Sequence, residues 1–243
     1  MTGILLWKES QEGKREKRIT IQEKSILHMR AWQAEIFRGP RTPEAVLRRR
    51  VAAAEKKLRK LGVKQIVLPE GFTGTERQKG IKTVSTLALR QMLAADWVQR
   101  DLAEKGLRMS GARVAVVADR LSGEVVRTVT ELALRHRYVL LELPHGGEEL
   151  CRRLRKEYGI SLLLGPDQAQ IEEAEALVLF TPKQELTRKN PVVVALYDEE
   201  MPVPPLALPP ALEDKLPRGA DRVQLLAALL QAGVIRAGVD LTF

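Results

Sequence analysis

Residues 112–119 (ARVAVVAD), 138–144 (YVLLELP), 160–166 (ISLLLGP) and 176–182 (ALVLFTP) decide how this chain folds. Each is a short burst of aliphatic, often β-branched side chains. Segments of helical period separate the first three, and a short polar run precedes the fourth. Apolar bursts alternating with amphipathic segments are how successive βα units of a parallel sheet, buried on both faces, read in sequence. A fifth burst, PVVVALY (Pro191–Tyr197), continues the pattern. The expected fold class is therefore α/β, a Rossmann-like, mostly parallel sheet with helices on both faces, plus an N-terminal β-hairpin and basic-helix region.

The helical segments carry their own signals. In Ser122–Arg137, Val125, Val129, Leu132 and Ala133 fall on one face. Pro144-His145-Gly146-Gly147 opens the next helix and Gly159 ends it, with Leu150, Leu154 and Tyr158 as its buried stripe and Cys151 beside them as a packing residue. Pro202–Pro210 has five prolines in nine residues and is expected to be extended. Asp221–Ala232 reads as a helix stopped by Gly233, and Ile235–Phe243 alternates like a terminal strand, able to complete its own sheet or to pair with a second copy of the chain.

Toward the N-terminus, Ile4–Lys8 and Arg18–Gln22 look like strands joined by a hairpin whose tip is SQEGKREK, with Lys14, Arg15, Lys17 and Arg18 exposed there. Ser25–Phe37 reads equally well as helix or strand, with His28 and Trp32 as packing residues. After GPRTP a helix is expected, capped by Thr42, with Pro43 in its first turn and a stripe of Leu47, Val51, Ala54, Leu58 and Leu61. Arg48, Arg49, Arg50, Lys56, Lys57, Arg59 and Lys60 occupy the rest of it, a basic face that is either solvated or laid on nucleic acid. Val63–Leu68 is a strand, open either to the main sheet or to a separate domain, followed by a glycine-containing loop to Gly80 and one long helix, Gly80–Lys105, with Ile81, Val84, Ala88, Ala95, Val98 and Leu102 in register.

Charge divides the chain. Residues 1–110 hold 24 lysines and arginines against 12 acidic residues, whereas residues 111–243 hold 16 against 19. Two regions are expected, a basic α/β region over 1–110 and the Rossmann-like core over 111–243, the first attractive to an anionic partner. A single cysteine excludes an internal disulfide and a cysteine-based zinc site. No apolar run reaches the length of a membrane span or a signal peptide, so the default location is the cytoplasm.

In open α/β sheets ligands bind beyond the carboxyl ends of the strands, against helix N-termini. Here that edge is built from Asp119, Arg120, Ser122 and Gly123, then Glu142, His145, Gly146 and Gly147, then Thr181 and Asp198. Aligning ADRLSG with the dinucleotide fingerprint places Ala118, Arg120 and Gly123 where three glycines belong, and only the last is one. Glu142, near the end of the second burst, stands where an acid would meet a ribose hydroxyl. Over about Ala112–Tyr197, in strand spacing and in ALVLFTP and VVVALYDE, the arrangement resembles the cofactor domain of shikimate-dehydrogenase-like enzymes. That resemblance implies an NAD(P) site; no catalytic residue is carried across from it. His145-Gly146-Gly147 offers a second anion site, although Glu148 and Glu149 follow at once.

Other signatures are missing: there is no P-loop, no G-x-S-x-G, and three well-separated histidines (His28, His136, His145) argue against a histidine metal centre or a serine triad. No cofactor and no metal are expected. The first functional reading is a non-catalytic binding, regulatory or assembly module. The alternatives are an enzyme for a nucleotide, NAD(P) or a phosphorylated metabolite, and nucleic-acid binding through the basic helix. An anionic small molecule, a protein partner and a second copy of the chain all remain compatible partners.

Overall fold

The computed structural model describes residues 1–9, 19–72, 80–109 and 111–236. The expected hairpin tip with Lys14, Arg15, Lys17 and Arg18, the centre of the loop before Gly80 and the terminal strand beyond Arg236 lie outside them. The elements are β1 (Thr2–Glu9), β2 (Ile19–Ile26), β3 (Met29–Arg38), α1 (Glu44–Lys60), β4 (Gln65–Val67), β5 (Lys82–Thr83), α2 (Leu87–Met92), α3 (Ala94–Glu104), β6 (Arg113–Val117), α4 (Gly123–Arg135), β7 (Tyr138–Glu142), α5 (Gly147–Tyr158), β8 (Leu163–Leu164), α6 (Gln168–Glu172), β9 (Ala176–Leu179), β10 (Val192–Ala195), α7 (Pro210–Glu213) and α8 (Arg222–Gln231).

They form two compact units, Met1–Thr86 with the segment from Leu208 onward, and Leu87–Ala207. This division differs from the one expected at residue 110, because α2 and α3 pack on α4, and α3 also on β9 and β10. It differs again at the far end, because α8 packs on β4.

The second unit holds the predicted sheet. Its order is β10-β9-β6-β7-β8, with every neighbouring pair parallel. Numbered within the unit this is 3-2-1-4-5 read from the β8 side, the order of the first five strands of a Rossmann sheet, with its direction of winding reversing between β6 and β9. One face, with Val114, Val116, Val139, Leu141, Val178 and Val194, packs on Trp97 and Leu102 of α3, Val125, Val129 and Leu132 of α4, and Leu150 and Leu154 of α5. The other face, with Ala115, Val117, Leu140, Leu177 and Leu179, is covered by Ile171 of α6 and by Leu186. Helices thus lie on both faces, which is why β6 and β9 are apolar at consecutive positions. Asp167 starts α6 with a capping box closed by Gln170, so the polar run before β9 is itself a short helix. Tyr158, expected in the buried stripe of α5, is 50% exposed at the helix end.

The first unit has the sheet β2-β3-β1-β4-β5. Here the N-terminal hairpin expectation is corrected: β1 and β2 are not neighbours. β2 pairs antiparallel with β3, and β3 lies parallel to β1. The hairpin is β2–β3, closed by Leu27 and His28, both at positive φ (47° and 74°), the signature of a type I′ turn. Neither residue type announces such a turn. β4 joins β1 and β5, so Val63–Leu68 belongs to this sheet and not to the main one. The expected helix Gly80–Lys105 is also corrected. Its first residues form β5, Ala88 is exposed, and two helices, α2 and α3, meet at Leu93.

Helix α1 buries Leu47, Val51, Ala54 and Leu58, the last three against Leu5, Ala34, Ile36 and Ile66. Leu61 is its exposed C-cap. Thr42 does not cap it: Pro43 is the N-cap, and Thr42 Oγ1 instead accepts the Gly39 N–H at 2.9 Å. Consecutive Ile4 and Leu5 are both fully buried, so β1 is covered on both faces. Helix α8 is tied to the residue after β4 by one side chain and one backbone bond: the Leu68 N–H donates to Gln224 Oε1 at 2.9 Å, and the Asp221 N–H donates to the Leu68 carbonyl.

Candidate functional site

The carboxyl edge of the second sheet gathers the loops that follow β6, β7 and β9. Backbone pairing runs one step past the strands: the Ala118 N–H donates to the Glu142 carbonyl and the Phe180 N–H to the Val117 carbonyl. Glu142 therefore ends β7 beside Val117 of β6, and Thr181 leaves β9 on the other side of β6.

Glu142 Oε1 forms an ion pair with Lys183 Nζ. Since β6 lies between β7 and β9, this pair reaches from one neighbour of β6 to the segment leaving the other. It crosses the end of the first Rossmann strand, the place a bound diphosphate needs clear. Both partners are half-buried, and Glu142 Oε2 and Thr181 Oγ1 are buried with no hydrogen-bond partner among the described residues. Lys183 was missed in sequence, because nothing marks a lysine four residues beyond a strand until the strand order is known.

The loop after β6 is exposed at Asp119, Arg120 and Gly123. Ser122 is the N-cap of α4, its Oγ accepting the Val125 N–H at 3.3 Å. Gly123 is the first residue of that helix, and an added Cβ would meet nothing within 4 Å. It therefore does not do the work of a third fingerprint glycine, which permits close helix–strand packing. Beside it the Glu124 carboxylate is held below the usual range by its own backbone N–H, then by the Ser122 hydroxyl, with Arg127 and Arg120 adding to the effect. The helix start already has its anion.

The loop after β7 does use its glycine. Gly146 caps α5 with φ 84°, and a Cβ there would fall 2.9 Å from Leu121 Cδ2. Leu121 thus lies over Gly146 and joins this loop to the one after β6. A recess of about 500 Å³ lies alongside, lined by Pro144, His145, Gly146, Gly147, Glu148 and Arg152 among others. Arg152 is paired with Glu149 at 2.8 Å across the exposed helix start. His145 is exposed. Asp198 shapes its own turn, its Oδ1 accepting the Glu200 N–H at 3.0 Å.

The edge candidates thus fall into three groups, Glu142 with Lys183 near Thr181, the β6–α4 loop with Glu124, and His145-Gly146-Gly147 around the recess, while Asp198 stands apart in its own turn. Cys151 sits on α5 with its thiol pushed up by burial, as a packing residue should. Among the described residues no group of histidine, cysteine and carboxylate side chains is arranged to hold a metal ion, and no helix is long and apolar enough to cross a membrane.

One arginine of the basic helix serves the fold. Arg50 donates to the Phe37 carbonyl and anchors α1 to β3, and Arg48 is paired with Glu44 at 2.6 Å. Arg49, Lys56, Lys57, Arg59 and Lys60 are exposed along the helix.

No known protein family and no curated protein is matched by the chain. Among solved structures it is similar to shikimate 5-dehydrogenase from Listeria monocytogenes in complex with shikimate and NAD, over 60% of this chain and 58% of that one, at 11% identity and a TM-score of 0.29. L-tryptophan dehydrogenase from Nostoc punctiforme is similar over 67% of this chain and 50% of its own, at 11% identity and a TM-score of 0.31. Shikimate dehydrogenase from Aquifex aeolicus is similar over 62% and 60%, at 15% identity and a TM-score of 0.26. The chain spans less than two thirds of the length of each of these three.

Proposed function

We propose that this chain is a non-catalytic binding, regulatory or assembly module built on a Rossmann-type sheet whose nucleotide edge is filled by its own side chains. The observation that carries this reading is the Glu142–Lys183 ion pair across the end of β6. The Glu124 carboxylate at the start of α4 and Leu121 over Gly146 act in the same direction. A dinucleotide in the standard pose would have to part the ion pair, displace Glu124 and enter past Arg120, each step drawing on its binding energy.

Thermal unfolding with NAD⁺, NADH, NADP⁺ and NADPH tests it. The expected result is no shift and no consumption of reduced cofactor. A ligand present at 100 times its dissociation constant would add about 2.7 kcal/mol, so real binding is easily seen. A saturable shift with any of the four, or turnover, overturns the reading.

A second reading, an enzyme for a nucleotide, NAD(P) or a phosphorylated metabolite, draws on the recess beside Gly146 and Gly147, whose size suits a small ligand. Sugar phosphates and nucleoside monophosphates in the same assay distinguish it, since only this reading expects them to stabilise the protein.

A further inference from the structure

The parallel strands of the first unit have a carboxyl edge of their own, and a cleft of about 90 Å³ opens there. Four segments build it. Trp7 comes from β1. Arg38 ends β3, and Glu44, Leu47 and Arg48 follow in the opening turns of α1. Gly71 and Phe72 come from the segment after β4. The space suits one small group and not a nucleotide.

Its polar groups are oriented before any ligand arrives. The Arg38 guanidinium lies 5.7 Å from the centre of the Trp7 ring, and that ring meets Phe72 at 5.9 Å with a 45° tilt. Stacking on an aromatic face fixes a guanidinium plane while leaving its N–H edge available. Among the described residues no carboxylate or carbonyl accepts from Arg38. Arg48 faces the same cleft, where its Nε and Nη2 donate to one oxygen of Glu44 at 3.2 and 2.6 Å. A carboxylate therefore already demonstrates what Arg48 accepts here. Glu44 is largely exposed, and an exposed pair four residues apart on a helix is weak enough to be exchanged for a better-placed anion.

We propose that this cleft binds a small oxyanion, a carboxylate or phosphoryl group, between Arg38 and Arg48, with the Glu44 side chain released to solvent. Two arginines lining a space of this size can recognise such a group by charge-assisted hydrogen bonds, and Leu47, Trp7 and Phe72 supply an apolar wall for whatever stem carries it.

The test is titration of the intact protein with acetate, benzoate and inorganic phosphate, ionic strength held constant with chloride, following the Trp7 indole N–H resonance assigned through Trp7→Phe. A saturable shift of that resonance is expected, and the stronger arm tells carboxylate from phosphate. Arg38→Ala should weaken binding about tenfold, the loss expected when hydrogen bonds to a charged group are removed. Glu44→Gln should tighten it by removing the competing carboxylate. Arg49→Ala, on the same helix but outside the cleft, should change it little. Arg38 and Glu44 are exposed, so their variants should fold, and unchanged Trp32 and Trp97 indole resonances confirm that they have. No saturable shift with any of the three anions, weakening by Arg49→Ala equal to that by Arg38→Ala, or weaker binding in Glu44→Gln would each overturn the proposal.

Discussion

At the scale of single residues, His136 shows how burial becomes pH dependence. It is 2% exposed at the end of α4, with Nδ1 2.9 Å from the Met109 carbonyl oxygen. A carbonyl only accepts, so Nδ1 carries the proton, and Nε2 is left as a buried lone pair without a partner. Burial lowers the pKa, the Met109 bond works against that, and Arg135 adds to the lowering. The native state therefore holds His136 neutral while the unfolded chain takes up a proton near the ordinary value. The associated stability is complete above about pH 6.5 and is lost as the pH falls toward the depressed native value. Urea unfolding at about pH 7.5 and about pH 5 should show this loss in the native sequence and a smaller one in His136→Gln. Equal losses in both would show that other groups dominate. Glu142 teaches a different lesson. Its place at the end of a strand was legible, but its partner was not, since Lys183 reaches it only by virtue of a strand order that local sequence does not encode.

At the scale of elements, the β2–β3 hairpin stores an avoidable cost. Leu27 and His28 both stand at positive φ, where a residue with a Cβ is disfavoured by about 1–2 kcal/mol. Replacing the pair with Asn-Gly, the residues this turn prefers, should stabilise the protein by about 1 kcal/mol or more, read as a higher urea midpoint with unchanged slope. A lower midpoint would mean that the two native side chains contribute packing that outweighs their strain. The same hairpin shows why part of the fold could not be read in advance. The parallel strands of the second unit declared themselves through β-branched runs and helix punctuation at Ser122, Gly146 and Gly159. The first unit hid its topology: a turn with no glycine or asparagine gave no signal, and a polar stretch after β1 suggested a neighbouring strand that in fact lies two places away. Helix Gly80–Lys105 was misread for a related reason, because apolar spacing over Ile81 and Val84 fits an extended segment covering a core as well as it fits a helix.

At the scale of the molecule, the two units differ in how the chain composes them. Leu87–Ala207 is one continuous stretch with its own sheet and both of its faces covered, so it should fold alone, giving a cooperative urea transition and a dispersed amide spectrum. Met1–Thr86 alone should not, because α8 is then missing. That helix buries Leu225, Leu226 and Leu229 and holds Leu68 through Gln224 and Asp221. Adding the segment from Leu208 as a separate peptide should restore structure to it. A well-folded Met1–Thr86 fragment would show that α8 is dispensable to the first sheet.

The return of α8 to a sheet begun by β1 has a bearing on biosynthesis. On the ribosome, strands β1 to β5 emerge before Leu87–Ala207 yet have only α1 over them until α8 follows, while the middle of the chain can already condense. The usual order of maturation is inverted: a unit begun before its neighbour becomes native after it, and for that interval its aliphatic strand surface is what a chaperone would meet.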